Sequence, residues 1–119
     1  MGNASHQLGH AGEAAALDYF LAQNFALECL NYRYRRAEVD IIVRRGNELL
    51  VFAEVKTRST SQFGYPEAFV TERKRQLFRL AAEQYQEEVN WQGDIRFDIL
   101  ALTQVTSGFH IEHFEDAFY

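Results

Sequence analysis

The sequence predicts an α/β fold in which helices flank a mixed β-sheet, with the element order α-β-β-β-α-β-β. Two observations lead to this fold class. Helical periodicity occurs at the start and in the middle of the chain, and stretches of alternating or continuously apolar β-formers lie between and after these segments. The length of 119 residues is typical of one domain, so we expect residues 1–119 to form a single unit.

Each element has a local signal. Three consecutive alanines favour the first helix, whose expected apolar stripe contains Leu17, Phe20 and Leu21. Thr71 is a suitable N-cap for the second helix. A long loop is expected at 59–66, before that helix. In order, the predicted elements are a helix from about Ser5 to Asn24, strands at Ala26–Tyr34, around 38–44 and at Leu49–Thr57, a helix to about Val89, and strands at Ile95–Leu102 and Gly108–Phe114.

Composition excludes several classes of protein. Hydrophobic residues make up 47% and charged residues 24% of the chain, which is typical of a globular domain and not of a disordered one. No apolar run approaches the length of a membrane helix, and residues 1–12 lack the basic residues that open a signal peptide. The single cysteine, Cys29, has no partner for an internal disulfide. We therefore expect a cytoplasmic protein without a membrane partner.

The charge distribution indicates a polyanion as partner. The net charge is −5, yet eleven of the twelve Lys and Arg residues lie between Arg33 and Arg79, a segment with only six acids and a net charge of +5. A basic face on an otherwise acidic body is typical of nucleic-acid binding, although a mixed surface with chance clustering explains the same numbers.

Three charged residues occupy predicted strands where apolar residues are expected. Asp40 lies within Val39–Val43, and Glu54 and Lys56 lie at the end of an apolar strand. Alternate strand residues share a face, so Glu54 and Lys56 project together. Carboxylate oxygens are the ligands that Mg²⁺ prefers, and a nearby ammonium can orient water or offset charge on a phosphate. The alternative is a cross-strand pair of Asp40 and Lys56 on a solvent-exposed sheet face.

The metal hypothesis makes a structural prediction about the hairpin. If Asp40 faces Glu54, the loop must have three residues, such as Gly46-Asn47-Glu48, or the strand must contain a bulge. A two-residue Gly46-Asn47 turn would instead pair Asp40 with Ala53 and put the carboxylates on opposite faces.

A further acid, Glu13, lies on or beside the inward stripe of the first helix, because Leu17 and Phe20 follow it at helical spacing. An acid that complements the helix dipole is the plainer explanation. Gly9 and Gly12 lower the stability of this helix, which indicates close approach of the backbone to another element.

These residues resemble a known family. Asp40 followed by Glu54-Val55-Lys56 resembles the D…(D/E)xK signature of the PD-(D/E)xK nuclease superfamily. Gly12-Glu13, Glu38–Ile42 and Val51–Arg58 resemble the bacterial YraN family, which is itself similar to archaeal Holliday-junction resolvases. The resemblance extends to Lys74, Arg96-Phe97-Asp98 and His113-Phe114. Val39 stands where the superfamily name has a proline.

The resemblance implies a restriction-endonuclease-like α-β-β-β-α-β core and a metal-dependent endonuclease that hydrolyses DNA, with branched or flapped structures as candidate substrates. It implies Glu13, Asp40 and Glu54 as acids of a Mg²⁺ or Mn²⁺ site and Lys56 as the catalytic lysine. The alternatives are a non-catalytic nucleic-acid-binding module that retains the fold, and an interaction domain.

Several basic residues are expected to contact the nucleic acid, namely Arg33, Arg35, Arg36, Arg58 and Lys74. Lys74 is in phase with Leu77 on the inner side of its helix and is expected to reach the site, whereas Arg73 and Arg75 are expected to point elsewhere. A chain of this size offers a small footprint, so a homodimer or a partner protein is expected to help define the substrate.

Overall fold

A computed structural model of the chain describes residues 3–59 and 70–118. Two helices and five strands follow one another in the predicted order. They are α1 (Asn3–Leu21), β1 (Ala26–Tyr34), β2 (Ala37–Arg45), β3 (Leu49–Arg58), α2 (Glu72–Val89), β4 (Asp94–Val105) and β5 (Gly108–Phe114). The loop was predicted at 59–66, and its residues 60–66 lie outside the described residues.

The strands form one mixed sheet in the order β1-β2-β3-β4-β5. β1, β2 and β3 are joined as antiparallel hairpins, β3 and β4 run parallel, and β5 pairs antiparallel with β4. The parallel pair requires a crossover, and α2 lies within it. The α/β fold class with a mixed sheet flanked by helices is confirmed.

A helix covers each face of the sheet. On one face, Ala16 and Phe20 of α1 pack against a cluster that includes Ile41, Val51 and Leu100. On the other face, the buried residues of α2 are Phe78, Ala81, Ala82 and Tyr85. Because the sheet is covered on both sides, β3 is almost continuously apolar and buried from Leu50 to Ala53.

Two details of the predicted packing are wrong. Leu21 is 44% exposed, because it follows the buried Phe20 by about 100° around the helix and so points away from the sheet. Regular strand alternation predicts that Val39 shares a face with Ile41 and Val43, but Val39 packs with Ile42 in the cluster on the α2 side. The strand alternation is therefore broken next to Asp40.

Helix α2 has the predicted N-cap and ends at the predicted residue, Val89. The Thr71 side chain accepts a hydrogen bond from the Lys74 N–H (3.1 Å), which caps α2. Asn90 ends the helix with a left-handed backbone conformation (φ 53°). Neither helix in the described ranges is long and apolar enough to cross a membrane.

Candidate active site

The hairpin of β2 and β3 brings two acids together. Ile41 pairs with Ala53 and Arg45 with Leu49, which leaves Gly46-Asn47-Glu48 as a three-residue loop. Continuing this register places Asp40 opposite Glu54, as the metal hypothesis predicted. The regular pairing ends at Ile41 and Ala53, and beyond it the Asp40 Oδ2 accepts a hydrogen bond from the backbone N–H of Val55 (2.8 Å).

The backbone is distorted in both strands at this point. Asn31 of β1 lies opposite Asp40, between the pairs Leu30–Ile41 and Tyr32–Val39, and has a positive φ of 52°. Positive φ is uncommon within a strand, although Asn tolerates it better than most residues. Together with the broken alternation at Val39, this locates a local irregularity at the candidate site.

Glu54 is buried and is paired with a lysine from the opposite layer. The Lys74 Nζ lies 2.7 Å from the Glu54 Oε2, and the two form a charged hydrogen bond. Lys74 belongs to the first turn of α2, directly above this face of the sheet. The prediction that Lys74 reaches the site is confirmed.

The surroundings of Asp40 and Glu54 disfavour a negative charge on both carboxylates at once. The pKa of Asp40 is raised from 3.8 to about 7, first by burial and next by the charge of Glu54. Glu13 raises it further, while the Val55 N–H and the Lys74 ammonium act in the opposite direction. For the Asp40 carboxyl, burial and the two neighbouring acids thus outweigh the Val55 N–H and the Lys74 ammonium.

Lys56 lies two residues beyond Glu54 on β3 and is half-buried. Because strand residues two apart share a face, its side chain leaves β3 on the same face of the sheet as Glu54. Lys56 is not among the described residues that line the cavity of the acidic pair.

Glu13 belongs to a neighbouring groove. It is half-buried on α1 and lines a cavity of about 390 Å³ together with His10, Asn31 and Arg33. Glu38 lines both this groove and the site cavity, so the two are adjacent. In the parts of the chain that the structure describes, no three Asp, Glu, His or Cys side chains already form a group that could hold a metal.

The acidic pair lies in a cavity of about 340 Å³ whose other walls combine basic, acidic and apolar side chains. Arg36, Arg73 and Lys74 line it, and Thr71 brings the positive end of the α2 dipole to the same cavity. Arg73 was expected to point elsewhere. That expectation is wrong, because the first turn of α2 ends at the cavity and exposes more than one side of the helix to it.

The remaining predicted basic residues are more dispersed. Arg33 lies in the neighbouring groove and pairs with Glu38 (3.6 Å), and Arg35 stacks over Tyr34 in the β1–β2 turn. Arg58 is exposed at the end of β3. The sequence reasoning did not single out Glu38 or Thr71 for the site, although Glu38 stands two residues before Asp40 on one strand.

Gly12 explains how α1 reaches the sheet. A Cβ atom at Gly12 would overlap the Thr57 hydroxyl and lie 2.8 Å from its Cγ2, so the helix packs closely on β3 beside Lys56. The predicted close approach is confirmed at Gly12. It is wrong for Gly9, where a Cβ would meet nothing within 4 Å.

Fold and cavity together define an α/β protein with a paired Asp and Glu beneath a cationic helix terminus. A family model described as "Uncharacterised protein family UPF0102" matches residues 12–102. The chain belongs to this family, which is the YraN family that its motifs resemble.

Relatives match along almost the whole chain. A UPF0102 protein of Christiangramia forsetii is 45% identical over 114 residues, which cover 96% of this chain and 95% of the relative. One of Flavobacterium psychrophilum is 40% identical over 114 residues, with the same two coverages. One of Bacteroides fragilis is 38% identical over 112 residues, covering 94% and 92%.

Proposed function

We propose that this chain is a metal-dependent nuclease that hydrolyses phosphodiester bonds in DNA. The observation that carries the proposal is the convergence of Asp40 and Glu54 from adjacent strands into one cavity that three basic side chains also line. Acids in a pocket that also binds a polyanion require a cation between them, because the carboxylates would otherwise repel the phosphate.

The donor set fits Mg²⁺ or Mn²⁺. Asp40 and Glu54 supply carboxylate oxygens, and Mg²⁺ typically uses one or two protein carboxylates while it keeps several waters. The pKa of Asp40, raised to about 7 by burial and neighbouring acids, means that its carboxylate gains more from a cation than an isolated one would. Bound there, the metal would activate water and offset charge on the phosphate. Glu13 would support the site through its charge or through water.

Lys56 is proposed as the catalytic lysine. Its ammonium shares a face with Glu54, where it would position the attacking water and stabilise the negative charge that develops on the phosphate. Half-burial strengthens this effect, since a charge that is partly shielded from water acts at a lower local dielectric constant.

The basic residues around the cavity are proposed to bind the phosphate backbone. Arg36, Arg73 and the N-terminus of α2 surround the acids, and Arg33 extends the basic surface into the neighbouring groove. Branched or partly single-stranded DNA is the proposed substrate, on the strength of the resemblance to junction resolvases. A homodimer or a partner protein is proposed to extend the small footprint.

The test is a cleavage assay with Mg²⁺ and with Mn²⁺ on duplex, single-stranded, flapped and four-way DNA, with RNA of matched sequence. The Asp40→Asn variant preserves an acceptor for the Val55 N–H and removes the charge. The matched control is Asp94→Asn, which changes an exposed acid at the start of β4. We expect metal-dependent cleavage by the wild type and the control, and none by Asp40→Asn.

The same reactions distinguish the alternatives. DNA binding without cleavage, at every protein concentration and with either metal, would favour a non-catalytic binding module. Neither binding nor cleavage would contradict the proposal and favour an interaction domain.

A further inference from the structure

The Lys74 ammonium pairs with one of the two acids and lies within electrostatic reach of the other. It lies 2.7 Å from the Glu54 Oε2, and its charge also lowers the pKa of Asp40. Lys74 is therefore the cation that balances the acidic pair in this structure. A divalent metal held by the same two carboxylates would compete with it for Glu54.

Lys74 has the freedom to move, whereas Glu54 does not. The Glu54 carboxylate is held on a buried central strand and its side chain is 6% exposed, while the Lys74 side chain is 39% exposed at the cavity wall. The backbone of Lys74 is fixed separately, since its N–H is bonded to the Thr71 hydroxyl. The long side chain can thus leave Glu54 while the helix stays in place.

The charges determine which cation is favoured. One ammonium cannot neutralise Asp40, Glu54 and the nearby Glu13, whereas a divalent ion supplies a second positive charge and binds both carboxylates directly. Once displaced, the ammonium lies in a cavity with Arg36 and Arg73, at the N-terminus of α2, where a phosphate group would be attracted.

We propose that Lys74 is a tethered counter-ion that a divalent metal displaces from Glu54, after which the ammonium binds the substrate phosphate. This inference rests on the proposed function, because it concerns the same metal site. Under this proposal the metal binds first and releases the Lys74 ammonium from Glu54. The released ammonium then binds the substrate phosphate. It also means that the wild-type chain binds metal more weakly than its carboxylates alone would allow.

The test measures Mn²⁺ affinity without DNA, by titration calorimetry and by the electron paramagnetic resonance signal of free Mn²⁺, at about pH 8, where Asp40 is mostly ionised. We expect Lys74→Met to bind Mn²⁺ about tenfold more tightly than the wild type, because a competing unit charge is removed. The matched control is Arg73→Met, which removes the neighbouring, exposed charge from the same cavity. It should change the affinity by no more than about twofold.

A second measurement follows the ammonium itself. In ¹⁵N-labelled wild-type protein, the Lys74 ammonium signal should shift and exchange faster with water as Mg²⁺ is added, while the Thr71-capped backbone amide of Lys74 stays unchanged. Lys74→Gln serves as the second variant if Lys74→Met does not fold, since it keeps a donor for Glu54 without the charge. Tighter Mn²⁺ binding by either variant supports the proposal.

Two failures can be told apart. If wild-type protein binds Mn²⁺ with an affinity that Asp40→Asn abolishes, but the Lys74 variants bind it equally or more weakly, the counter-ion inference is overturned and the metal site stands. If the wild type shows no binding that depends on Asp40, the proposed metal-dependent function fails together with the inference.

Discussion

At the scale of single residues, the surroundings of Asp40 oppose the negative charge of its carboxylate. It is half-buried, faces Glu54 and lies within the electrostatic reach of Glu13. The Val55 N–H compensates only in part. A carboxylate that is kept despite burial and repulsion by neighbouring acids is typical of a functional site. At such a site a bound ligand supplies the opposite charge.

This environment predicts an unusual pH dependence of stability. The pKa of Asp40 is about 7 in the folded chain and near 3.8 when unfolded, so the folded state binds the extra proton between these values. Its contribution to stability is complete below about pH 4 and is lost as the pH rises through 7. Asp40→Asn should therefore melt a few degrees above the wild type at pH 8, in the presence of a chelator, and lose that advantage at pH 5.

The measurement is the difference in melting temperature between the two proteins across this pH range, which cancels the titration of other groups. For Asp94→Asn, the difference in melting temperature from the wild type should stay the same across this pH range. Adding Mg²⁺ should raise the melting temperature of the wild type at pH 8 but not that of Asp40→Asn. A constant advantage of Asp40→Asn at all pH values would contradict this explanation.

Substitution of Lys56 should slow the cleavage step without weakening metal binding. Lys56→Met keeps the aliphatic volume and both metal carboxylates, so we expect Mn²⁺ affinity to stay within a few-fold of the wild type. The cleavage rate constant under saturating metal should fall by about 100-fold or more, as is typical for loss of a group that assists proton transfer or charge stabilisation. Loss of Mn²⁺ binding instead would assign Lys56 to the metal site.

Part of this site could be predicted from the sequence, and part could not. Charged residues in otherwise apolar strands identify Asp40, Glu54 and Lys56, because strand periodicity relates them to one face. The pairing of Lys74 with Glu54 and the orientation of Arg73 depend on where α2 crosses the sheet, which local patterns do not encode. The error at Leu21 has a different cause, because this residue lies about 100° around α1 from the buried Phe20.

At the scale of elements, the contact of α1 with β3 depends on a single missing side chain. Gly12 faces Thr57 at a separation that leaves no room for a Cβ, next to Glu13 on one element and Lys56 on the other. The glycine lowers helix propensity but allows the helix to approach the sheet closely. The position of Glu13 relative to Asp40 therefore depends on this packing.

The two glycines of α1 provide a matched pair of variants. Gly12→Ala should destabilise the fold by about 1–3 kcal/mol, because Thr57 must shift to admit the methyl group. Gly9→Ala, on the same helix with open space around it, should stabilise by up to about 1 kcal/mol through helix propensity. Urea denaturation measures both changes. Equal effects from the two substitutions would show that the contact with Thr57 is unimportant.

Element bounds were predictable where local chemistry fixes them. The Thr71 cap and the ends of β1 and β5 follow from cap and alternation signals. The turn residues located the β2–β3 loop but left its length open between two and three residues. The irregularity at Val39 and Asn31 was not predictable, because it arises from pairing between strands and from the Asp40 side chain that bonds Val55.

At the scale of the whole molecule, one buried acid joins four segments. Asp98 of β4 is fully buried and accepts two hydrogen bonds from Arg96 (2.8 Å each), one from the Asp116 N–H and a contact of 2.6 Å from His113 of β5. His113 in turn contacts the Tyr19 hydroxyl of α1 (3.1 Å). Burial alone would raise the pKa of Asp98, but its hydrogen bonds to His113 and Arg96 hold it below the ordinary value.

Removing this carboxylate should affect global stability and not the candidate site. Asp98→Ala leaves Arg96 and His113 without their shared partner, and we expect a loss of about 3–5 kcal/mol in the free energy of unfolding. Asp94→Ala, an exposed acid on the same strand, should cost less than about 0.5 kcal/mol. Chemical denaturation of both variants measures these losses in the free energy of unfolding. A loss below about 1 kcal/mol for Asp98→Ala would contradict the proposed stabilising role of Asp98.

The three-residue loop between β2 and β3 has a consequence for how this chain tolerates genetic change. Surface loops usually accept insertions and deletions, since nothing depends on their length. Here the length of the loop determines which residues of β2 and β3 lie opposite each other at the site, about 17 Å away along the strands. Deleting one codon from Gly46-Asn47-Glu48 would favour the register that pairs Asp40 with Ala53, and would turn the two carboxylates to opposite faces of the sheet. Among functional descendants of this chain, we therefore expect a one-residue change in the length of the loop only together with a compensating bulge in one of the two strands.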